Sequence, residues 1–339
     1  MPNHHWLRDR SGAAPGFKGT GVVISSGFRH LLKIAHGTAA LTGHSAPMAR
    51  LIIRHETAYA YERPVSFAPH RLLVRPRDSH AIRVVDAVLT VSPPGDTRWL
   101  YDALGNSVCQ FTPRGTSTAL WIRSDLEIQR YAAQLSDLEV EDPQTATPIV
   151  YPTADRATLA PFIEPATEDA DGHLLKWLRD QVQSPHEPAL EFLLRLNRTI
   201  NRQFEYQARD LGAAQEPSHT VKLGAGTCRD FAWLMVEALR RLGYAARFVT
   251  GYLYSPRGSI VRGAGATHAW CEVFLPALGW REFDPTNAIA ESPDLIPVAV
   301  ARTPAEAAPI CGAIYGDGGE ASLSVHVDVR PADSLREAA

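Results

Sequence analysis

The sequence predicts an α+β protein: an N-terminal β-sandwich-like domain, then a core in which helices precede an antiparallel sheet. Three observations carry that reading. Short β-branched runs fill residues 48–136, helical periodicity takes over after residue 166, and strand-like runs return after Gly243. At 339 residues the chain is also longer than one ordinary core accommodates, so a boundary is expected inside it.

Residues 1–47 are rich in Gly, Ser and Ala, hold His4, His5, His30, His36 and His44, and show no sustained apolar period. They read as a poorly ordered extension, with Met48 a candidate start directly before the strand-like Arg50 to His55. Further strands are expected at Leu72 to Val74, Arg83 to Val91, Val108 to Phe111 and Leu120 to Ile128, divided by Pro93-Pro94-Gly95 and Gly105-Asn106. Between residues 137 and 165, repeated prolines among Asp, Glu and Thr favour an extended linker. The second domain is expected over 166–335. Leu174, Leu175, Leu178 and Val182 follow one helical face, and Phe192, Leu193, Leu196 and Ile200 another. A third helix should run from Thr227 to Leu242, with Phe231, Leu234, Met235, Ala238, Leu239 and Leu242 on one stripe and Gly243 as its stop. Strands are then expected at Ala246 to Leu253, Thr267 to Leu275 and Trp280 to Phe283.

Composition narrows the function classes. A formal net charge of −3 supplies no positive field for nucleic acid or an anionic membrane. Cys109, Cys228, Cys271 and Cys311 form no CxxC pair, which speaks against a disulfide framework or a zinc finger. The early apolar run Leu31 to Leu41 is interrupted by Lys33 and His36, no span or signal peptide is evident, and the cytoplasm is the expected location.

The chemistry concentrates in three places. In Gly224-Ala225-Gly226-Thr227-Cys228-Arg229-Asp230, Thr227 is an N-cap with Asp230 three residues on, so Cys228 starts a helix. The unpaired N–H groups there favour a thiolate, the nucleophilic form of cysteine. His268 begins the next strand but one, and Asp284 closes the strand after it. A hairpin turning on Pro276 would set the two opposite each other; a turn centred on Leu278-Gly279 would send them to opposite faces unless a bulge intervened. Cys228, His268 and Asp284 are thus candidates for nucleophile, base and orienter. The Cys228 N–H is one candidate oxyanion donor and the Tyr206 hydroxyl a second. Cys271 should point away from the His268 face into the core, and a four-ligand zinc site with Cys228 lacks a close second cysteine.

The run Gly224 to Ala232, the following Leu239-Arg240-Arg241-Leu242-Gly243-Tyr244, His268-Ala269-Trp270-Cys271-Glu272-Val273 and Gly279 to Asn287 together resemble bacterial transglutaminase-like proteins. Ile53 to Tyr61, Arg75-Pro76 and Asp102 to Asn106 resemble the β-rich N-terminal domain that precedes that core. The resemblance implies a papain-like core whose triad is Cys228, His268 and Asp284, and chemistry needing no metal or other cofactor. The calcium dependence of the animal enzymes is not carried over. Where relatives commonly continue with Arg-Asp-Tyr, this chain has Ala301-Arg302-Thr303-Pro304-Ala305-Glu306, so substrate handling at that edge is expected to differ.

Two functions follow as expectations. One is an enzyme that attacks a glutamine or peptide carboxamide of a protein or peptide, forms a thioester on Cys228, and passes the acyl group to an amine (transglutamination) or to water (deamidation or proteolysis). The other is a binding module that keeps the fold without turnover, against which three intact triad residues speak.

Overall fold

Alternation of apolar and polar residues makes the first part of the chain antiparallel strands; along the sixth, every second residue from Leu120 to Arg130 is buried. In the structure, a computed structural model describing residues 49–131, 149–184, 186–209, 212–255, 261–276 and 278–332, these are β1 (Ala49–Phe67), β2 (His70–Leu72), β3 (Ile82–Ser92), β4 (Gly95–Tyr101), β5 (Ser107–Pro113) and β6 (Thr116–Arg130). Then come α1 (Thr153–Ile163), α2 (His173–Arg179), α3 (Ala189–Gln203), β7 (Glu205–Tyr206), α4 (Pro217–Leu223), β8 (Ala225–Gly226) and α5 (Cys228–Arg241). β9 (Ala246–Leu253), β10 (His268–Leu275), β11 (Gly279–Asp284), β12 (Ile289–Ala290), β13 (Leu295–Ala301), β14 (Ile310–Cys311), β15 (Ile314–Tyr315) and β16 (Ala321–Pro331) complete the order. The architecture is α+β, as expected.

Three antiparallel sheets organise these elements. β1 lies between β6 and β16 in the first, with β3 at one edge and β15 at the other end of β1. The second has the order β14-β2-β5-β4, and Val65, Phe67, Leu72, Phe111, Leu120 and Ile122 fill the space between the two as a sandwich core. The third, β12-β11-β10-β9-β13, carries α5 on one face. That helix is buried almost all round, as a central helix must be, and Phe231, Leu234, Met235, Ala238 and Leu239 meet Cys271 and Val273 in the main core. Even its charged residues are enclosed: Glu237 accepts from the Thr167 N–H and hydroxyl at 3.0 and 2.6 Å and from Arg240 at 3.1 Å. No helix among the described residues is long and apolar enough to cross a membrane.

Several expectations need correction. The linker 137–165 contains α1, because Leu159 and Phe162 bury against the main core and Phe162 meets Trp280 edge-on, ring centroids 5.4 Å apart; Pro161 takes one backbone hydrogen bond out of the helix, which ends two residues later. The part assigned to one catalytic stretch, 166–335, gives β14 to the second sheet and β15 and β16 to the first, β16 running from Leu51↔Pro331 to Tyr61↔Ala321 along β1. Leu175 is 41% exposed and does not share the buried face of Leu174 and Leu178, and Val182 falls beyond α2, which ends at Arg179 after barely two turns. The expected extension 1–47 lies outside the described residues.

His55 of β1 and Tyr252 of β9 join the first sheet to the third. Tyr252 Oη donates to the Val74 carbonyl at 3.2 Å, so the consistent arrangement has His55 Nδ1–H donating to Tyr252 Oη at 3.1 Å and Nε2 accepting from Thr57 Oγ1 at 3.0 Å. This imidazole is neutral. Burial pushes its pKa down to about 4, so between the ordinary 6.5 and 4 the unfolded chain holds the proton that the folded chain refuses. Stability should therefore fall by roughly 3 kcal/mol as pH drops through that window. Urea unfolding at both ends of it should show the loss in the native protein and a flatter response in H55Q; equal slopes would exclude this origin.

Candidate active site

The start of α5 is fixed by a buried carboxylate. Asp230, at the third helical position, accepts the Thr227 N–H at 2.7 Å and the Thr227 hydroxyl at 3.0 Å, and also the Gln215 N–H at 2.7 Å and Arg209 Nη2 at 3.0 Å. Arg229 reaches the same loop, its two Nη atoms donating to the carbonyls of Arg209 at 2.8 Å and Gly212 at 3.2 Å. The segment before the helix is thereby lashed to its first turn on both sides of Cys228. Gly226 packs so closely on Asp230 that a Cβ there would lie 2.8 Å from the Asp230 Cβ. Cys228 itself is the first helical residue, where helix geometry leaves its N–H without an intrahelical acceptor.

His268 Nε2 meets Asp284 Oδ2 at 2.8 Å, and both residues are buried. The hairpin does not turn as either sequence alternative had it. Leu278 N–H closes on the Leu275 carbonyl and Gly279 takes a left-handed φ of 75°, so Leu275 pairs with Gly279 and Cys271 with Phe283. Continued one step, that register sets Trp270 across from Asp284 and makes His268 its diagonal neighbour. An offset of two residues preserves the face, which is why the contact survives. Asp284 Oδ1 accepts the Thr286 N–H at 2.9 Å, and Oδ2 also accepts Asn287 Nδ2 at 2.9 Å.

The electrostatics follow from this arrangement. Burial alone would strip the proton from His268, but the Asp284 charge and hydrogen bond, with a further contribution from the Cys228 thiol, raise its pKa to about 10. Asp284 is pulled in the opposite directions: burial favours its neutral form, and the charge of His268 with the donors from His268, Asn287 and Thr286 outweighs burial, leaving the carboxyl below its ordinary range. The second ring nitrogen, Nδ1, is buried and has no hydrogen-bond partner within normal limits. Cys228, His268 and Tyr206 line one cavity of about 460 Å³ together with Arg209, Arg229 and Gly263. Tyr206 is half-buried in β7, which pairs in parallel with β8, and its ring packs on Phe231 with centroids 6.4 Å apart. Cys271 is fully buried in the main core.

A profile of the transglutaminase-like superfamily matches residues 176–285, and one of the bacterial transglutaminase-like N-terminal region matches residues 51–129. The chain belongs to the transglutaminase-like superfamily. Its similarity to the uncharacterized protein Rv2569c of Mycobacterium tuberculosis is 29% identity over 303 residues, spanning 83% of this chain and 93% of the relative. With ML0607 of Mycobacterium leprae it shares 25% identity over 285 residues, 83% of this chain and 99% of that protein. A crystal structure from Cytophaga hutchinsonii, described as a candidate cysteine protease, has the same fold, with a TM-score of 0.65 at 21% identity over 85% of this chain and 92% of its own.

Two groups around the site of this transglutaminase-like protein escape the sequence reading. Asn287 holds Asp284 and also clasps the loop before His268, its Nδ2 donating to the Arg262 carbonyl at 3.1 Å and its Oδ1 accepting the Arg262 N–H at 2.9 Å. Its place in Asp284-Pro285-Thr286-Asn287 is the signal that could have found it. Gly263 lies in the same loop at φ +84°, and a Cβ there would come within 2.7 Å of His268 Nδ1. Pro304, Ala305, Ala307 and Ala308 also line the cavity, from the segment where the chain departs from the Arg-Asp-Tyr pattern, and Val325 of β16 reaches it too.

Proposed function

We propose that this protein is a cysteine-dependent acyl-transfer enzyme acting on carboxamides of proteins or peptides, with Cys228 as nucleophile, His268 as acid and base, and Asp284 as orienter. The observation that carries the reading is a helix-terminal cysteine sharing a cavity with a histidine whose far nitrogen is bound by a buried carboxylate. The Cys228 sulfur attacks the carboxamide carbon, an S–C bond forms, and the carbonyl electron pair moves onto oxygen. The Cys228 N–H and the Tyr206 hydroxyl are the donors assigned to that oxyanion. The C–N bond then breaks as the imidazolium gives its proton to the departing nitrogen, leaving a thioester. An amine or water attacks the thioester carbon next and its proton passes to His268; the oxyanion pair then re-forms the carbonyl and the C–S bond breaks, its electrons leaving on the Cys228 sulfur beside the imidazolium. Asp284 keeps the imidazole in one tautomer and stabilises its charged form throughout.

Alkylation tests the first step without any substrate. With iodoacetamide at about pH 6, Cys228 should react ahead of Cys109 and of the exposed Cys311, because its sulfur lies at a helix N-terminus in one cavity with His268. Labelling of Cys228 no faster than Cys311 would favour a non-catalytic module instead. Incubation with a glutamine-containing protein and a primary amine, read by mass spectrometry, then separates amine incorporation, deamidation and cleavage.

A further inference from the structure

We infer that the cleft selects acyl donors that carry carboxylates next to the reactive carboxamide, an acidic stretch of polypeptide, with Arg209 and Arg229 as the recognising groups; this rests on the acyl transfer proposed above. Among the described residues lining the cavity, the side chains with permanent charge are these two guanidiniums. They stand out in a chain whose formal net charge is −3. Among the described residues the sign of the lining is therefore opposite to the formal charge of the chain, and the positive end of α5 opens into the same space.

Their bonding offsets that charge only in part, at Arg209. Arg229 is held by two backbone carbonyls, neutral acceptors that fix the guanidinium plane without cancelling its charge. Arg209 shares Nη2 between the Ala213 carbonyl at 2.9 Å and Asp230 Oδ1 at 3.0 Å, while its side chain stays 32% exposed. The Asp230 charge is fully buried behind the wall and divided among four donors. The rest of the lining includes Gly263, Ala264, Pro304, Ala305 and Ala308, small or apolar side chains, and among the described residues holds no carboxylate to repel an approaching one. A guanidinium already immobilised loses little freedom on taking up a carboxylate, which is where arginine is most effective as a recognition group.

The test uses three capped peptides that differ only in the residues flanking a central glutamine: glutamate, alanine or lysine. Each is measured for protection of Cys228 against iodoacetamide and for kcat/KM with a fluorescent primary amine. In the native protein the glutamate peptide should protect at a roughly tenfold or lower concentration than the alanine peptide at low salt, and the lysine peptide least of all. That gap should narrow at about 0.5 M salt. R209Q and R229Q should each move the glutamate-to-alanine ratio toward one, and R209K and R229K should retain part of it; a ratio is read because these variants also lose loop contacts. Equal protection by the three peptides, or an acid preference indifferent to salt and to both glutamine variants, overturns the inference while leaving the thiol chemistry standing. Absence of selective Cys228 alkylation removes the acyl-transfer reading and this inference with it.

Discussion

Asp284→Asn is expected to lower kcat by about 10⁴-fold while the protein stays folded. The asparagine oxygen can still accept the Thr286 N–H that Asp284 Oδ1 takes at 2.9 Å, so the turn at the strand end survives. What disappears is the charge facing His268. Burial opposes the imidazolium and Asp284 sustains it, up to about pH 10; without the carboxylate, burial prevails. Because a raised histidine pKa keeps the proton below its folded value and releases it above, the alkaline limb of kcat/KM should shift downward from about pH 10 in the variant. Labelling of Cys228 at about pH 6 should slow in parallel. A variant within tenfold of native kcat would show that Asp284 does not orient the histidine.

The second large effect is expected from Gly263→Ala. A methyl group at this position meets His268 Nδ1 at 2.7 Å, far inside contact distance, and the ring or the loop must move. A displacement of ~1 Å in a reacting group costs on the order of 100-fold in rate. The φ of +84° adds backbone strain of about 1–2 kcal/mol, which a thermal melt would register. Gly265→Ala is the control that separates the two: its φ is +86°, yet its Cβ would meet nothing within 4 Å. The pair should therefore lose similar stability, and only Gly263→Ala should lose the rate. Equal kcat in the two variants would mean that the close approach to His268 has no bearing on turnover.

The parts legible in the sequence are those whose causes are local. The start of α5 is written in Thr227 and Asp230, its buried stripe in a 3.6-residue period, and its end in Gly243, which takes a φ of +82°. The meeting of His268 and Asp284 is half local: the two strands of the hairpin are written in neighbouring residues, but whether the side chains share a face depends on the register, which follows from where Gly279 bends the turn. Non-local causes stay hidden. α1 forms in a proline-rich stretch because Leu159 and Phe162 find the main core, and nothing near residue 321 announces that the strand starting there will lie along β1. Asn287 falls between the two: its hold on Asp284 is three residues away in sequence, while its clasp on the loop at Arg262 exists only in the fold.

β16 has a consequence for the order in which the molecule becomes competent. Its Val327 N–H donates to the Gly265 carbonyl at 2.9 Å, in the loop that carries Gly263, and its Val325 closes one side of the cleft. During synthesis the helix bearing the thiol and the hairpin bearing the imidazole emerge before residues 321–331 do. The nascent chain would thus hold Cys228 for some time without a finished enclosure around it, and β1 would wait with one ladder edge unpaired. Completion of the cleft is thereby tied to the arrival of a strand that begins nearly a hundred residues after Cys228.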